Sequence, residues 1–349
     1  MELQQFKKTI DPLIQAFLDQ KLKSLSFIGN EETKDYLNYL KLFLTEGKRI
    51  RAYLAFLAYK AHGGKKDKDI LGLLVFIELL HAFLLIHDDI MDKAEKRHGI
   101  KTAHVFIAEK VKSLKGIDPD YFGISQAILL GDYLFAWTHE ILDTNASFDK
   151  EIIKKVKLIL SATMDEVILG QMIDLNTTLY ERVDKEKIIK KITLKTAYYS
   201  FVRPMQIGAI LSRNEYDEEF LEDFGKHLGI AFQTQDDLLD IKFDESKTHK
   251  SSFNDVQERQ QTFFTNYIFF NGSEKDKTIL SKYFGKKLSE DNKNNLRKIF
   301  EESGAIAYGE KIMQENFNSA KKLLKKQQMD QEYKNIFFKL ITIIENRQS

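Results

Sequence analysis

Glu78-Leu79-Leu80-His81-Ala82-Phe83-Leu84-Leu85-Ile86-His87-Asp88-Asp89-Ile90-Met91-Asp92 reads as the end of an apolar helix that stops in three carboxylates. Residues four apart share a helix face and the next neighbour lies about 100° round, so Asp88 and Asp92 stack while Asp89 stands beside them. A second Asp-Asp-x-x-Asp, Asp236-Asp237-Leu238-Leu239-Asp240, closes another such run. Acids crowded at the end of a hydrophobic segment repel one another unless cations neutralise them. Hard oxygen ligands with room for water suit Mg²⁺ bridged to substrate phosphates. One such motif is equally well read as a solvated helix end. Two in matching contexts point to metal and phosphate chemistry, with all six aspartates as candidate metal residues.

Outward from these motifs the chain keeps a helical pattern. Apolar positions recur at helical spacing in Ile153–Leu160 with Val167–Leu175, in Ile188–Leu194, in Leu221–Phe232 and in Ile306–Leu324. Only three prolines occur, Pro12, Pro119 and Pro204, and helix formers dominate, so an all-α protein is expected. Breaks fall at Gly63-Gly64-Lys65-Lys66, at Lys115-Gly116-Ile117-Asp118-Pro119, at Lys242–Asn254 and at Asn271-Gly272-Ser273. These read as loops between helices, and the polar stretch 244–252 as a candidate lid. A length of 349 residues sets a soft prior of about two domains. No boundary divides the chain, so a single domain over 1–349 is expected, with the two acidic helices as facing arms of one bundle.

Charge and cysteine usage narrow the function classes. Lys+Arg number 53 against 52 Asp+Glu, a net charge of +1, so no global field argues for nucleic acid. The chain has no cysteine, which excludes disulfides, thiolate catalysis and zinc-thiolate sites and fits a reducing cytoplasm, where the protein is expected. The first eight residues lack the apolar core of a secretory signal. The run from Ile70 to Ile86 is the one membrane candidate, but it carries Glu78 and His81 and fits a helix buried in protein better.

Carboxylates that hold magnesium against a phosphate call for basic partners. Gly47-Lys48-Arg49-Ile50-Arg51 opens a helical run and places Lys48 and Arg51 three apart near a helix N-terminus, although a basic turn alone is ordinary surface. Arg97-His98 follows Asp92 by five and six residues, one to two turns if the helix continues. Lys195-Thr196 interrupts an apolar helix, where a charge without a partner is costly and a snorkelling lysine is the bland alternative. Gln233 stacks on the face of Asp236, Gln171 with Asp174 repeats that spacing, and His81 lies seven residues before Asp88. A lone helical histidine is more often a packing residue than a ligand.

Together these residues resemble the trans-isoprenyl diphosphate synthases, or polyprenyl synthetases. Glu78–Asp92 resembles the family's first aspartate-rich segment and Gly229-Ile230-Ala231-Phe232-Gln233-Thr234-Gln235-Asp236-Asp237-Leu238-Leu239-Asp240 its second. Gly47–Arg51, Gly131-Asp132, Gly170-Gln171 with Asp174 and Lys195-Thr196-Ala197 fall in the family's order, across most of residues 45 to 265. The resemblance implies an all-α bundle around a central cavity, paired as a homodimer, acting as a Mg²⁺-dependent prenyltransferase on isopentenyl diphosphate and an allylic diphosphate. It implies metal binding by Asp88, Asp92 and Asp236, with Asp89 and Asp240 closer to supporting roles. It assigns Arg97, Lys195 and Gln233 to stabilising the departing diphosphate, Thr196 and Gln233 to orienting the allylic cation, and Lys48, Arg51 and His81 to isopentenyl diphosphate.

Departures from the family pattern carry their own expectations. His98 stands where a second arginine is usual and is a weaker, pH-sensitive clamp than a guanidinium. Lys250 is shifted by a residue and Gln260 replaces a common lysine, with Arg259 a possible substitute. The resemblance also assigns Phe83, five residues before the first motif, to the floor of the chain pocket, implying a farnesyl or geranylgeranyl product. A plain helical wheel puts Leu84 and Leu85 nearer the Asp88 stripe. The rival readings are a terpene cyclase, which usually lacks the second Asp-rich motif, and a non-catalytic partner subunit, which typically loses carboxylates from one motif.

Overall fold

Good helix formers and apolar residues at helical spacing give helices throughout the computed structural model, which describes residues 1–25, 31–97, 99–242 and 252–347. The elements in chain order are α1 (Leu3–Leu25), α2 (Glu31–Phe43), α3 (Ile50–Ala61), α4 (Asp67–Met91), the strands β1 (Lys96–Arg97) and β2 (Ile100–Lys101), α5 (Ala103–Val111), α6 (Pro119–Asp143) and α7 (Lys150–Thr177). Then come α8 (Lys185–Ile192), a π-helix (Thr193–Val202), α9 (Arg203–Ser212) and α10 (Glu218–Lys242). Shorter helices at Asn254–Gln257, Phe263–Asn271, Glu274–Tyr283 and Glu290–Glu302 precede the last two, Ala305–Lys326 and Gln331–Glu345. The all-α expectation holds. The chain forms two compact units, one of Met1–Lys157 with Gly208–Asn214 and the other of Leu158–Ile207 with Glu215–Ser349.

In the first unit α4 is the central element, packed against α1, α3 and α6. It is apolar on all sides, and a helix of that kind is stable in water only when neighbours cover it. Most of it is buried, although its length and hydropathy alone suit a membrane span. Glu78, 2% exposed in the middle of this helix, is matched by the guanidinium of Arg49 at 3.2 Å. Phe6 packs its ring on Tyr53 and Phe56, tying α1 to α3. The predicted break before α6 is an N-cap: Asp118 accepts from the backbone N–H groups of Asp120 and Tyr121, with Pro119 next in line.

The chain after Asp92 departs from the helical expectation. Lys93 takes a left-handed φ of 53°, and the N–H groups of Lys93 and Ala94 return to the carbonyls of Ile90 and Asp89. This is a C-cap that satisfies the last carbonyls of the helix and turns the chain out of its axis. β1 and β2 then pair antiparallel, Arg97 opposite Ile100, so Arg97 comes back toward the helix it left. His98 lies outside the described residues, as do Lys250 and nearly all of the stretch suggested as a lid.

In the second unit α10 packs against the π-helix and against Ala305–Lys326. Phe253, Phe264 and Phe300 fill one core cluster together with Leu238 and Ile241 from the end of α10. Glycine permits the close approach of backbones here. A Cβ at Gly170 of α7 would come 2.5 Å from the Lys195 nitrogen, and one at Gly229 of α10 would come 2.3 Å from the Ala197 Cα. Only the absence of a side chain allows the π-helix to sit that close to both helices.

Candidate active site

The first acidic motif is divided by burial. Asp89 is 1% exposed and receives the Arg97 Nε–H at 2.7 Å, while Arg97 Nη2 stands 3.6 Å from Asp88 Oδ2. Burial pushes the Asp89 carboxyl up to about 6 even though Arg97 pulls it down. Burial works against the charge of Arg97 too, but Asp89 and Asp88 outweigh it and raise its pKa. Asp88 and Asp92 keep partial access to solvent, and the Asp92 N–H closes the last turn on the Asp88 carbonyl at 2.8 Å. The hairpin that presents Arg97 is pinned by the buried Thr102, whose hydroxyl donates to Ala94 O at 2.7 Å, and by Tyr39, whose hydroxyl donates to Lys101 O at 2.9 Å.

The basic segment at the start of α3 separates into a buried cation and more exposed ones. Arg49, left-handed at φ 57° and 5% exposed, donates to Asp11 at 2.7 Å and to Glu78 at 3.2 Å. It is a packing residue tying α1 to α4, a role its sequence context did not reveal. Lys48 is exposed, and Arg51 Nη1 lies 3.1 Å from His81 Nε2, joining two residues predicted to act together. Phe83, 9% exposed, packs on Phe135 of α6 with centroids 5.0 Å apart and on His87 at 4.8 Å.

The second unit carries the other predicted residues. Thr196 donates to Gln233 Oε1 at 2.8 Å, and Gln233 Nε2 donates to Asp237 Oδ1 at 2.9 Å. Asp237 is buried, and burial raises its pKa against the pull of that hydrogen bond. Asp240 spends both oxygens inside the protein: Oδ1 accepts from the N–H and side-chain amide of Asn254 at 3.0 Å, and Oδ2 accepts from the Asp255 N–H at 3.1 Å. It therefore caps the helix Asn254–Gln257. Asp236 is half-buried and pairs with Arg347, whose guanidinium lies 4.2 Å from the centre of the Phe232 ring. Among the described residues no three acids or histidines form a ready-made metal cage. Mg²⁺ does not require one, since it commonly takes one or two carboxylates, with water and substrate phosphate completing its shell.

Lys195 has the partner its apolar setting demanded. Its ammonium donates to Asp174 Oδ2 at 2.7 Å, three residues along α7 from the half-buried Gln171. Lys191, which helical periodicity submerged in an apolar run, stands 2.9 Å from Asp174 Oδ1. Burial would raise the Asp174 carboxyl, but Lys191 and Lys195 overcome it and hold the group at about 2. Arg259 is left-handed at φ 61° and stacks over Phe284 at 5.5 Å, and Gln260 is 8% exposed with its carbonyl accepting from Thr265.

The chain has clear relatives. Residues 33–303 match the family model for polyprenyl synthetase. A short chain isoprenyl diphosphate synthase of Methanothermobacter thermautotrophicus is 32% identical over 286 residues, 81% of each chain. A geranylgeranyl diphosphate synthase of Sulfolobus acidocaldarius is 32% identical over 267 residues, 75% of each. In three dimensions a geranylgeranyl pyrophosphate synthase of Corynebacterium glutamicum, solved with isoprenyl diphosphate and magnesium, superposes with a TM-score of 0.93 at 25% identity, over 99% of this chain and 100% of that one. With a family match over most of its length and relatives of this identity and coverage, the chain belongs to the polyprenyl synthetase family.

Proposed function

We propose that this prenyltransferase condenses isopentenyl diphosphate head-to-tail with an allylic diphosphate, releasing pyrophosphate and a short-chain trans-prenyl diphosphate, farnesyl or geranylgeranyl. The observation that carries the reading is that both acid-bearing units hold cations on buried carboxylates, Arg97 on Asp89 and Lys195 on Asp174, each at 2.7 Å. Guanidinium and ammonium groups fixed in this way stabilise negative charge as it develops on a leaving diphosphate. Asp88, Asp92 and Asp236, motif carboxylates that keep partial access to solvent, are the proposed Mg²⁺ ligands. Mg²⁺ bound there neutralises the diphosphate and polarises its oxygens as a Lewis acid. Asp89, Asp237 and Asp240 support this shell by orienting Arg97, Gln233 and the segment after α10. Thr196 and Gln233 present oxygens to the allylic cation. Lys48, Arg51 and His81 bind isopentenyl diphosphate, with His98 as a weaker clamp and Gln171 lining the site, and no side-chain nucleophile is needed.

Phe83 closes the floor of the chain pocket, backed by the Phe135 ring. Homodimerisation is supported by exposed apolar residues on α6, Tyr121, Ile128, Leu129 and Tyr133, and separately on α7, where Leu158, Ile168, Leu169 and Met172 face solvent. The burial of α4 supports reading that helix as part of the protein core, in keeping with the proposed cytoplasmic enzyme. Incubating the purified protein with Mg²⁺, isopentenyl diphosphate and each allylic primer, then sizing the products, tests the reading. A farnesyl or geranylgeranyl product lost on chelation is expected, and longer chains from Phe83→Ala. A cyclised hydrocarbon, or no condensation with any primer, refutes the reading, and an unchanged chain length in Phe83→Ala refutes the floor.

A further inference from the structure

Asp174 is 4% exposed and holds two cations of unequal freedom. Lys195, its side chain 26% exposed, donates to Oδ2, whereas Lys191, at 9%, stands against Oδ1 and donates to the Gln261 carbonyl at 2.8 Å. Gln261 is itself fixed, its amide donating to the carbonyls of Tyr180 and Glu181 at 2.8 and 3.0 Å. Lys191 lies in the last turn of α8 and Lys195 four residues on, in the π-helix, so both reach one carboxylate. The more exposed of the two cations, Lys195, is the one that can leave.

If Lys195 turned to a diphosphate without Lys191 in place, Asp174 would remain buried with an unmatched charge, a strongly unfavourable state. We propose that Lys191 is a positioning residue: it holds the charge of Asp174 so that Lys195 transfers from that carboxylate to the departing diphosphate. This rests on the prenyl-transfer reading above. It makes Lys191, which touches no substrate, a determinant of turnover through Lys195. Gln261, in turn, couples the segment after the second acidic motif to the same pair.

The test uses Lys191→Gln, which keeps a polar amide at the position but carries no charge. With Lys195 held on Asp174, kcat is expected to fall about tenfold or more while KM for isopentenyl diphosphate stays within about twofold. Adding Asp174→Asn, which removes the carboxylate that holds Lys195, is expected to recover at least about threefold in kcat, and Lys191→Arg is expected to remain within about threefold of wild type. If Lys191→Gln does not fold alone, the double variant is measured instead, since it leaves no buried carboxylate at position 174. Turnover within about tenfold of wild type supports the proposal, and failure to fold or lower turnover overturns it. A folded Lys191→Gln with wild-type kcat, or no recovery on adding Asp174→Asn, also overturns it. An inactive wild type overturns the prenyl-transfer reading and this proposal together, whereas an active wild type matched by Lys191→Gln overturns this proposal alone.

Discussion

Single side chains here divide between those that hold the protein together and those left for chemistry, and neighbours in sequence fall on opposite sides. Lys48 and Arg49 are adjacent and both cationic, yet Arg49 is buried between Asp11 and Glu78 while Lys48 is exposed. Arg49→Ala would leave Glu78 buried without its cation, so a loss of about 3–5 kcal/mol in urea unfolding is expected. Lys48→Ala is expected to unfold as wild type and to raise KM for isopentenyl diphosphate. The reverse pattern would exchange the two roles. Asp174 gives a pH signature. Its carboxyl is held at about 2 against an ordinary 3.8, so its stabilisation is fully present above pH 3.8 and is lost as pH falls toward 2. The shift corresponds to about 2 kcal/mol. Asp174→Asn should flatten that acid limb in a pH series of unfolding curves, and an unchanged limb would show that the carboxyl is not held low.

At the level of elements, two departures from regular helix place the cations proposed for catalysis. The left-handed turn at Lys93 stops α4 and lets the hairpin fold Arg97 back onto Asp89. The π-helix carries Lys195 and Thr196, and π segments within helices recur at functional sites. Its position depends on Gly170, so Gly170→Ala must displace backbone at Lys195 and not merely a flexible side chain. Overpacking of this kind costs about 1–3 kcal/mol. Gly170→Ala is also expected to lower kcat, because Lys195 moves with its backbone. A stable, fully active Gly170→Ala would mean that the contact relaxes without moving Lys195.

For the whole molecule, the charge balance near neutrality conceals local excesses of acid. Burial pushes up Asp89, Asp237, Asp240 and Asp255, so ionising them is unfavourable in the protein without cations. A ligand that binds only the folded state raises stability by mass action, about 2.7 kcal/mol at a hundredfold excess over Kd. Mg²⁺ with inorganic pyrophosphate is therefore expected to raise Tm by several degrees, and chelation to reverse it. No shift at saturating Mg²⁺ and pyrophosphate would remove the metal ligands from the reading.

Sequence alone determined the all-α class and the loops at Gly63-Gly64, Lys115–Pro119 and Asn271–Ser273, and it supplied the residues proposed for the chemistry, because helical periodicity, capping and motif spacing are local properties of the chain. The prediction that Lys195 needs a partner also came from sequence, but Asp174 as that partner, with Lys191 opposite, did not. Tertiary structure decided which charges are consumed: Arg49 by Glu78, Asp240 by the helix Asn254–Gln257, and Asp89 by Arg97. These pairings join residues whose separation along the chain bears no fixed relation to their separation in space, so only packing settles them.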